Sequence, residues 1–242
     1  MTSSKRDWRL FAALVLLGLA GVAALGLVPL ERAVPAGLDL PRWMLLINPA
    51  IFTLAGAALG WWAAPLAGLE APVLARLVRG EDAKRAFARQ LVPAAIVAAA
   101  TAAILLGYGA LTADTFAGSD APDVPMPLAA RLLYGGISEE IIARWGVLSV
   151  AMLGLLKLGA SRGVAFWSAN LFAGVLFGIG HFGLLFALFP EPPVWLIAAV
   201  LAGNLLPALG FGWLFRRYGL EAAMLGHGGG HALALAAGGL VG

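Results

Sequence analysis

Long apolar runs with few charges dominate this sequence and leave few folds open to it. Each run has about the 20 residues that an α-helix needs to cross the roughly 30 Å hydrocarbon core of a bilayer. The runs lie at residues 10–30, 43–68, 91–111, 128–156, 164–189, 194–215 and 219–242. The composition agrees, because 61% of the residues are hydrophobic and only 12% are charged, whereas a soluble domain is nearer half apolar and a quarter charged. We therefore expect an all-α, polytopic transmembrane helix bundle with about seven spans.

The same composition excludes several classes of protein. A soluble chain of this size could not hide so many apolar side chains, which sets soluble enzymes aside. The formal net charge is only +3, a small excess that fits basic loops beside an anionic lipid leaflet and does not indicate a nucleic-acid partner. Cysteine is absent from the sequence. This excludes disulfides, thiolate metal sites and cysteine nucleophiles.

The distribution of charge predicts an orientation in the membrane. If the N-terminus is cytoplasmic, the inner segments are residues 1–9, 70–90, 157–163 and 216–218. These segments hold 12 of the 16 lysines and arginines, as the positive-inside rule requires. We expect a multi-pass protein of the cell membrane with its N-terminus in the cytoplasm and its C-terminus outside.

Three ionisable residues inside the fourth run give the strongest functional signal. Glu139, Glu140 and Arg144 lie near its middle, where each charge costs about 2.5–3.5 kcal/mol to insert. Glu140 and Arg144 are four residues apart, so they share a helix face and are predicted to form an ion pair. Glu139 points about 100° away around the helix and has no local partner, which makes it a candidate acid or base. The alternative is a structural role, in which the three charges fasten helices together.

The histidines of the chain all lie in predicted spans, at His181, His227 and His231. His227 and His231 are four residues apart and share a helix face. The glycines Gly228–Gly230 between them leave a surface without side chains, either for close helix approach or for a substrate backbone. A single histidine on an apolar helix is more often a satisfied core residue than a catalyst. Three histidines together with two carboxylates and an arginine favour one shared site.

This set of side chains is compatible with three chemistries. A glutamate and a histidine can activate water for hydrolysis while other imidazoles stabilise an oxyanion. A His/His/Glu set can bind zinc with one open position. Buried glutamates and histidines can also relay protons in coupled transport. Transport is disfavoured because the polar residues cluster after residue 130 and not in two matching halves.

The sequence lacks the catalytic residues that other classes of intramembrane hydrolase require. The sequence contains no His-Glu-x-x-His zinc motif and no aspartate within a predicted span, so that zinc motif and an aspartyl dyad are both excluded. Ser138 follows two glycines and is a weak candidate for a serine–histidine dyad, because a helical serine more often hydrogen-bonds its own backbone.

Three motifs follow one another along the second half of the chain. They are EEIIAR at residues 139–144, FGIGH at residues 177–181, and His227 with a polar residue four positions later. In order and spacing they resemble the EExxxR, FxxxH and HxxxN motifs of the CPBP family of intramembrane proteases, which includes CAAX-prenyl endopeptidases and bacteriocin-processing or immunity-type (ABI) proteins. The resemblance covers roughly residues 128–235. It divides the chain into N-terminal membrane helices (1–127) and a CPBP-like catalytic core (128–242).

The resemblance implies a hydrophilic cavity within the helix bundle and a glutamate-type endopeptidase, formerly called metallo-type. By motif position, Glu139 and His181 would activate water, and His227 with His231 would stabilise the tetrahedral oxyanion. Glu140 and Arg144 would support this arrangement. The implied partners are the lipid bilayer and a membrane-associated or lipid-modified peptide or protein substrate, and no cofactor is expected.

Two positions depart from the family pattern and keep alternatives open. His231 stands where the family commonly has asparagine; a neutral imidazole can still donate a hydrogen bond, but the additional histidine makes a zinc-dependent protease the first alternative. Trp145 stands where glycine is frequent and is expected to line or narrow the cavity. The second alternative is a non-enzymatic immunity-type protein that binds a membrane peptide or toxin without cutting it.

The predicted depths of the site residues conflict. At about 1.5 Å per residue, Glu139 and His181 lie some 16 and 12 Å from the outer ends of their spans, whereas His227 lies some 12 Å from the inner end of its span. These depths agree only if the spans tilt, break at glycines or begin later than predicted.

Overall fold

The computed structural model describes residues 7–34, 40–119 and 121–238, which form helices and connecting loops with no strand among them. Residues 1–6 of the first predicted inner segment and 239–242 of the last predicted span lie outside the described residues. The all-α prediction is confirmed. The helices are α1 (Trp8–Leu25), α2 (Arg42–Leu45), α3 (Ile47–Ala67), α4 (Pro72–Val78), α5 (Lys84–Ala117), α6 (128–157), α7 (Arg162–Gly180), α8 (Phe182–Leu188), α9 (Val194–Tyr218) and α10 (Leu220–Gly238), with a 3₁₀ turn at Leu30–Ala33.

Five stretches are long and apolar enough to cross a bilayer, and they correspond to five of the seven predicted runs. They are Trp8–Leu25, Arg42–Ala67, Lys84–Ala117, Arg162–Leu188 and Val194–Tyr218. The fourth and seventh runs form α6 and α10, which are helical but do not belong to this set. The count of seven spans therefore stays a prediction.

The helix α6 departs from regular α-helical geometry on both sides of its paired glutamates. Leu128–Ala130 and Ser149–Lys157 are α-helical, whereas Arg131–Ser138 and Ile141–Leu148 are π-helical. Glu139 and Glu140 lie between the two π-helical segments. Such wider turns are rare and occur frequently at functional sites, because they change which side chains share a face.

Glycines allow neighbouring helices to cross α6 closely. A Cβ atom on Gly136 would lie 2.9 Å from the Cα atom of Gly228 in α10, and one on Gly56 of α3 would lie 2.7 Å from the Cα atom of Ile142. The glycines that separate His227 from His231 also pack against α5, since a Cβ on Gly229 would lie 3.0 Å from the Cβ of Ala98. Close helix packing therefore accounts for this glycine run.

The N-terminal helices share one hydrophobic core with the motif-bearing helices. Leu14 of α1 and Ala57 of α3 are fully buried in the same cluster as Ile141 of α6 and Phe166 of α7. The hydroxyl of Ser138 also donates a hydrogen bond of 2.8 Å to the carbonyl of Gly18. The predicted division at residue 127 stays a prediction, and α1 and α3 support the helix that carries both glutamates.

Candidate active site

The adjacent glutamates of α6 have different surroundings. The side chain of Glu140 is completely buried, and its Oε1 atom lies 3.0 Å from a guanidinium nitrogen of Arg144 and 2.8 Å from Nδ1 of His227. The predicted ion pair between Glu140 and Arg144 is therefore present. Glu139 keeps 17% of its side chain exposed. Among the described residues it forms no side-chain hydrogen bond, and its Oε2 atom lies 3.9 Å from Nε2 of His227.

Arg144 is held on two sides by aromatic rings as well as by Glu140. Its guanidinium carbon lies 5.1 Å from the ring centroid of Phe177 in α7 and 5.1 Å from that of Phe211 in α9. Cation–π contacts of this kind gain strength where water is excluded. The arginine therefore ties α6 to α7 and α9, and its charge partly neutralises the two carboxylates.

His227 joins the two glutamates at the centre of the site. Its ring stacks on Phe211 with centroids 4.5 Å apart and on His231 with centroids 5.0 Å apart. A carboxylate can only accept hydrogen bonds, so Nδ1 of His227 carries the proton in its contact with Glu140. Nε2 is then the atom that faces Glu139.

His181 lies in a break of the fifth predicted span, because α7 ends at Gly180 and α8 begins at Phe182. The span predicted over residues 164–189 is present as Arg162–Leu188, with a turn at His181. Nδ1 of His181 lies 2.9 Å from the carbonyl oxygen of Phe177 and donates to it. Its Nε2 atom is left as a proton acceptor. A break at the glycines is one of the conditions under which the predicted depths of the site residues agree.

A small cavity collects the predicted site residues. Its volume is about 60 Å³, and its lining includes Glu139, His181, His227 and His231. Such a space admits water molecules, with several polar side chains available to bind them. The cavity is also lined by residues for which no motif predicted a catalytic role, among them Thr101, Asn204 and Phe211.

A second, larger cavity meets the first at two of these residues. It has a volume of about 530 Å³ and a mostly apolar lining that includes Phe52, Tyr134 and Leu184. Glu139 and His181 line this cavity as well as the small one. Glu139 and His181 therefore lie between a small polar cavity that admits water and a larger apolar cavity that is big enough for a ligand.

The expectation that Trp145 lines or narrows the cavity was wrong, whereas Ser138 binds the backbone of its own helix as expected. Trp145 does not line either of these cavities; it is buried at 1% exposure and packs against Gly60 and Phe215. Ser138 is buried, and its hydroxyl is bound to backbone carbonyls, which leaves the serine–histidine alternative without support. Asn204 also lines the small cavity, and its side-chain amide donates a hydrogen bond of 2.8 Å to the carbonyl of Val200 in its own helix.

The metal alternative has no complete ligand set in the described part of the chain. No group of three or more histidine, aspartate, glutamate or cysteine side chains lies close enough together there to hold an ion. His227 also commits Nδ1 to Glu140, while a zinc site needs about four ligands in tetrahedral geometry.

Comparison with known proteins agrees with the motifs. Residues 122–233 match the family model described as type II CAAX prenyl endopeptidase Rce1-like. No curated protein and no solved structure matched the chain. The matched region contains both glutamates, Arg144 and all three histidines of the site.

Proposed function

The chain carries an Rce1-like domain at residues 122–233, consistent with a CPBP-family protease of the membrane, and from this premise we propose the following mechanism. The protein hydrolyses peptide bonds of membrane-associated or lipid-modified substrates, and Glu139 with His181 activates the attacking water. One observation carries this proposal: these two side chains line both the water-sized polar cavity and the larger apolar one. A peptide lying in the apolar cavity would meet water at that boundary.

The two activating residues have complementary hydrogen-bonding states. His181 donates through Nδ1 to a main-chain carbonyl, so Nε2 is available to accept a proton from water. Glu139 has no competing hydrogen bond among the described residues, and its carboxylate can accept a hydrogen bond from the other O–H group of the same water molecule. Together they would orient and deprotonate the nucleophile and later return a proton to the leaving amine.

His227 is proposed to stabilise the tetrahedral oxyanion. Because its Nδ1 proton points to Glu140, Nε2 can donate to an oxyanion only when the ring is an imidazolium. His231, stacked on His227, would provide the second donor. Glu140 and Arg144 act as positioning residues that fix the direction of the His227 ring.

We further propose that the protein lies in the cell membrane with a cytoplasmic N-terminus and works without a metal ion. The ends of the helices support the orientation, because basic residues concentrate where α1, α5, α7 and α10 begin. Contacts join these ends, among them Arg79 to Asp7 and Arg162 to the carbonyl of Ala67. Reporter fusions at the two termini test the orientation.

Metal analysis of the purified protein, before and after chelation, tests whether peptide hydrolysis requires a metal ion. Full activity of metal-free protein is the expected result, whereas its loss with restoration by zinc would favour the metalloprotease.

Cleavage of a membrane-anchored peptide by the purified protein in liposomes tests the catalytic assignment. Glu139→Gln and His181→Ala should each abolish detectable cleavage while the thermal midpoint stays near that of wild type. Glu191→Gln, which changes an exposed glutamate outside the site, is the matched control and should cleave normally. Cleavage that persists in both site variants would contradict the assignment. Tight peptide binding by all forms without any cleavage would instead indicate the non-enzymatic alternative.

A further inference from the structure

A separate cavity of about 570 Å³ opens at the end of the bundle where α5 begins and α9 ends. It shares none of its lining residues with the two cavities at Glu139. Its walls come from α4, the first turns of α5, the last turn of α9 and the loops beside them. Nothing in the proposed proteolysis uses this space.

Arginines from three helices converge on this cavity. Two carboxylates, Glu70 and Asp82, also line it. The five arginines leave a formal excess of three positive charges in the lining: Arg76, Arg85, Arg89, Arg216 and Arg217. Within the described part of the chain, none of the five lies within ion-pair distance of a carboxylate. The cavity therefore presents guanidinium groups that pair with no carboxylate among the described residues, although Arg76 donates to the carbonyl of Pro72 and Arg216 lies over the ring of Phe166.

The walls of the cavity are fixed to one another before any ligand arrives. The buried carboxylate of Glu221 accepts hydrogen bonds from the backbone nitrogens of Val73 and Leu74 at the start of α4, at 3.0 and 2.7 Å. The side-chain amide of Gln90 in α5 donates to the carbonyl of Tyr218 in α9 at 2.9 Å. Because Glu221 lies in the first turn of α10, these bonds join α4 to α10 and α5 to α9, and a fixed arrangement of this kind lowers the ordering cost of binding.

The helices also set the level of the cavity relative to the membrane. Arg85 and Arg89 lie in the first two turns of α5, and Arg216 and Arg217 in the last turn of α9, and both helices are long and apolar enough to span a bilayer. The guanidinium groups therefore lie near the boundary of the hydrocarbon core, where lipid phosphates are found. Guanidinium groups match phosphate oxygens with paired hydrogen bonds.

We propose that this cavity binds a phosphate-bearing group, and that the group is the headgroup of an anionic phospholipid from the surrounding leaflet. A basic membrane face attracts anionic lipids without selecting a place for them. The converging, unpaired arginines and the fixed concave walls distinguish this cavity from such a general face. Its occupation would stabilise the junction of α4, α5, α9 and α10.

The test uses the full chain with Glu139→Gln, so that lipid binding is measured without proteolysis and independently of the proposed function. The protein is placed in phosphatidylcholine nanodiscs that contain phosphatidylglycerol, and bound lipid is measured by native mass spectrometry after detergent release. Arg85→Gln/Arg89→Gln should lower phosphatidylglycerol retention about tenfold, since two charge-assisted contacts are lost. The matched control, Arg9→Gln/Lys157→Gln, removes the same charge from the same end of the bundle but outside the cavity and should retain the lipid.

Three results would overturn the proposal. Equal loss in both double variants would indicate attraction to the basic face as a whole. Equal retention of phosphatidylcholine and phosphatidylglycerol by the parent protein would remove the anionic selectivity. Displacement of phosphatidylglycerol by an equal concentration of glycerol 3-phosphate would show that the ligand is a soluble phosphate and would reject the lipid. Both arginines are exposed and lack ion-pair partners, so the variant is expected to fold.

Discussion

Nδ1 of His227 lies 2.8 Å from Oε1 of Glu140, the same oxygen that pairs with Arg144 at 3.0 Å. A single buried carboxylate atom thus sets both the direction of the imidazole and the position of the arginine. The two adjacent glutamates therefore differ: Glu140 uses Oε1 to hold His227 and Arg144, whereas the carboxylate of Glu139 faces the cavity.

Replacing Glu140 by glutamine should separate these roles. The amide keeps the shape but removes the charge that balances Arg144 and His227, and breaking a buried pair typically costs about 3–5 kcal/mol. We expect kcat to fall about 100-fold or more, because His227 and Arg144 lose the carboxylate that holds both of them in position. Peptide cleavage and thermal unfolding of Glu140→Gln measure the two effects. Wild-type kcat with a lowered thermal midpoint would show that Glu140 has only a structural role.

Replacing His231 by asparagine tests the departure from the family pattern. An asparagine amide can donate one hydrogen bond to an oxyanion, as a neutral imidazole does. His231→Asn should therefore keep activity within about tenfold of wild type, whereas His231→Ala should lose about 100-fold, the magnitude typical of a missing oxyanion donor. Cleavage rates of the two variants decide this. If alanine is tolerated as well as asparagine, His231 does not contact the transition state.

The crossing of α6 and α10 at Gly136 and Gly228 gives a prediction about packing. A methyl group on Gly136 would lie 2.9 Å from the backbone of Gly228, so Gly136→Ala must push the helices apart and move His227 relative to Glu140. Activity should fall at least about tenfold, since small displacements of positioned groups have large effects. The control is Gly154→Ala in the same helix, where no atom lies within 4 Å of the added methyl group. Equal activity of both variants would contradict the close crossing.

The pair formed by Asp7 and Arg79 predicts a pH dependence of stability outside the membrane. The hydrogen bond from Arg79, 2.8 Å long, lowers the pKa of Asp7 below its usual value. The pair therefore stabilises the folded protein above the unfolded-state pKa of about 4, and this stabilisation disappears as the pH falls through the lower pKa of the folded state. Its size should stay below about 1 kcal/mol, because Arg79 is half exposed and salt screens the pair.

Asp7→Asn tests this pair without removing the helix cap, since asparagine also caps helix N-termini. The variant should lose a small part of its thermal stability at pH 7 and show less destabilisation between pH 5 and pH 3 than wild type. Asp114→Asn changes an exposed aspartate that forms no ion pair among the described residues and serves as control. An unchanged pH profile in Asp7→Asn would reject the contribution of the pair.

Local spacing was sufficient to predict the polar part of the site. The four-residue separation of Glu140 and Arg144 predicted their ion pair, and the exclusion of charge from lipid predicted that the polar residues would gather. The π-helical segments of α6 were not predictable in this way, because they depend on the helices that cross α6 at glycines. The partner of Trp145 was not predictable either: adjacent helical residues point about 100° apart, so the indole faces away from the direction of Arg144, and there it packs against Gly60 of α3.

The two remaining differences also come from long-range packing. His181 lies within an apolar span, and nothing near it in the sequence indicated that α7 would end at Gly180 and a second helix begin at Phe182. Phe211 was one of many aromatic residues in an apolar run, and nothing near it in the sequence indicated that its ring stacks on His227. An apolar residue contributes to a polar site only through its tertiary contacts, and these are not visible in the local sequence.

The small size of the cavity at His227 limits which parts of a substrate can contact the site residues. A volume of about 60 Å³ has room for the nucleophile but not for the side chain of a bulky amino acid. Discrimination among substrates would then depend on the larger apolar cavity beside it, which can select for the shape and hydrophobicity of the substrate. Such a protease would select substrates by their position in the bilayer more than by the residues that flank the scissile bond.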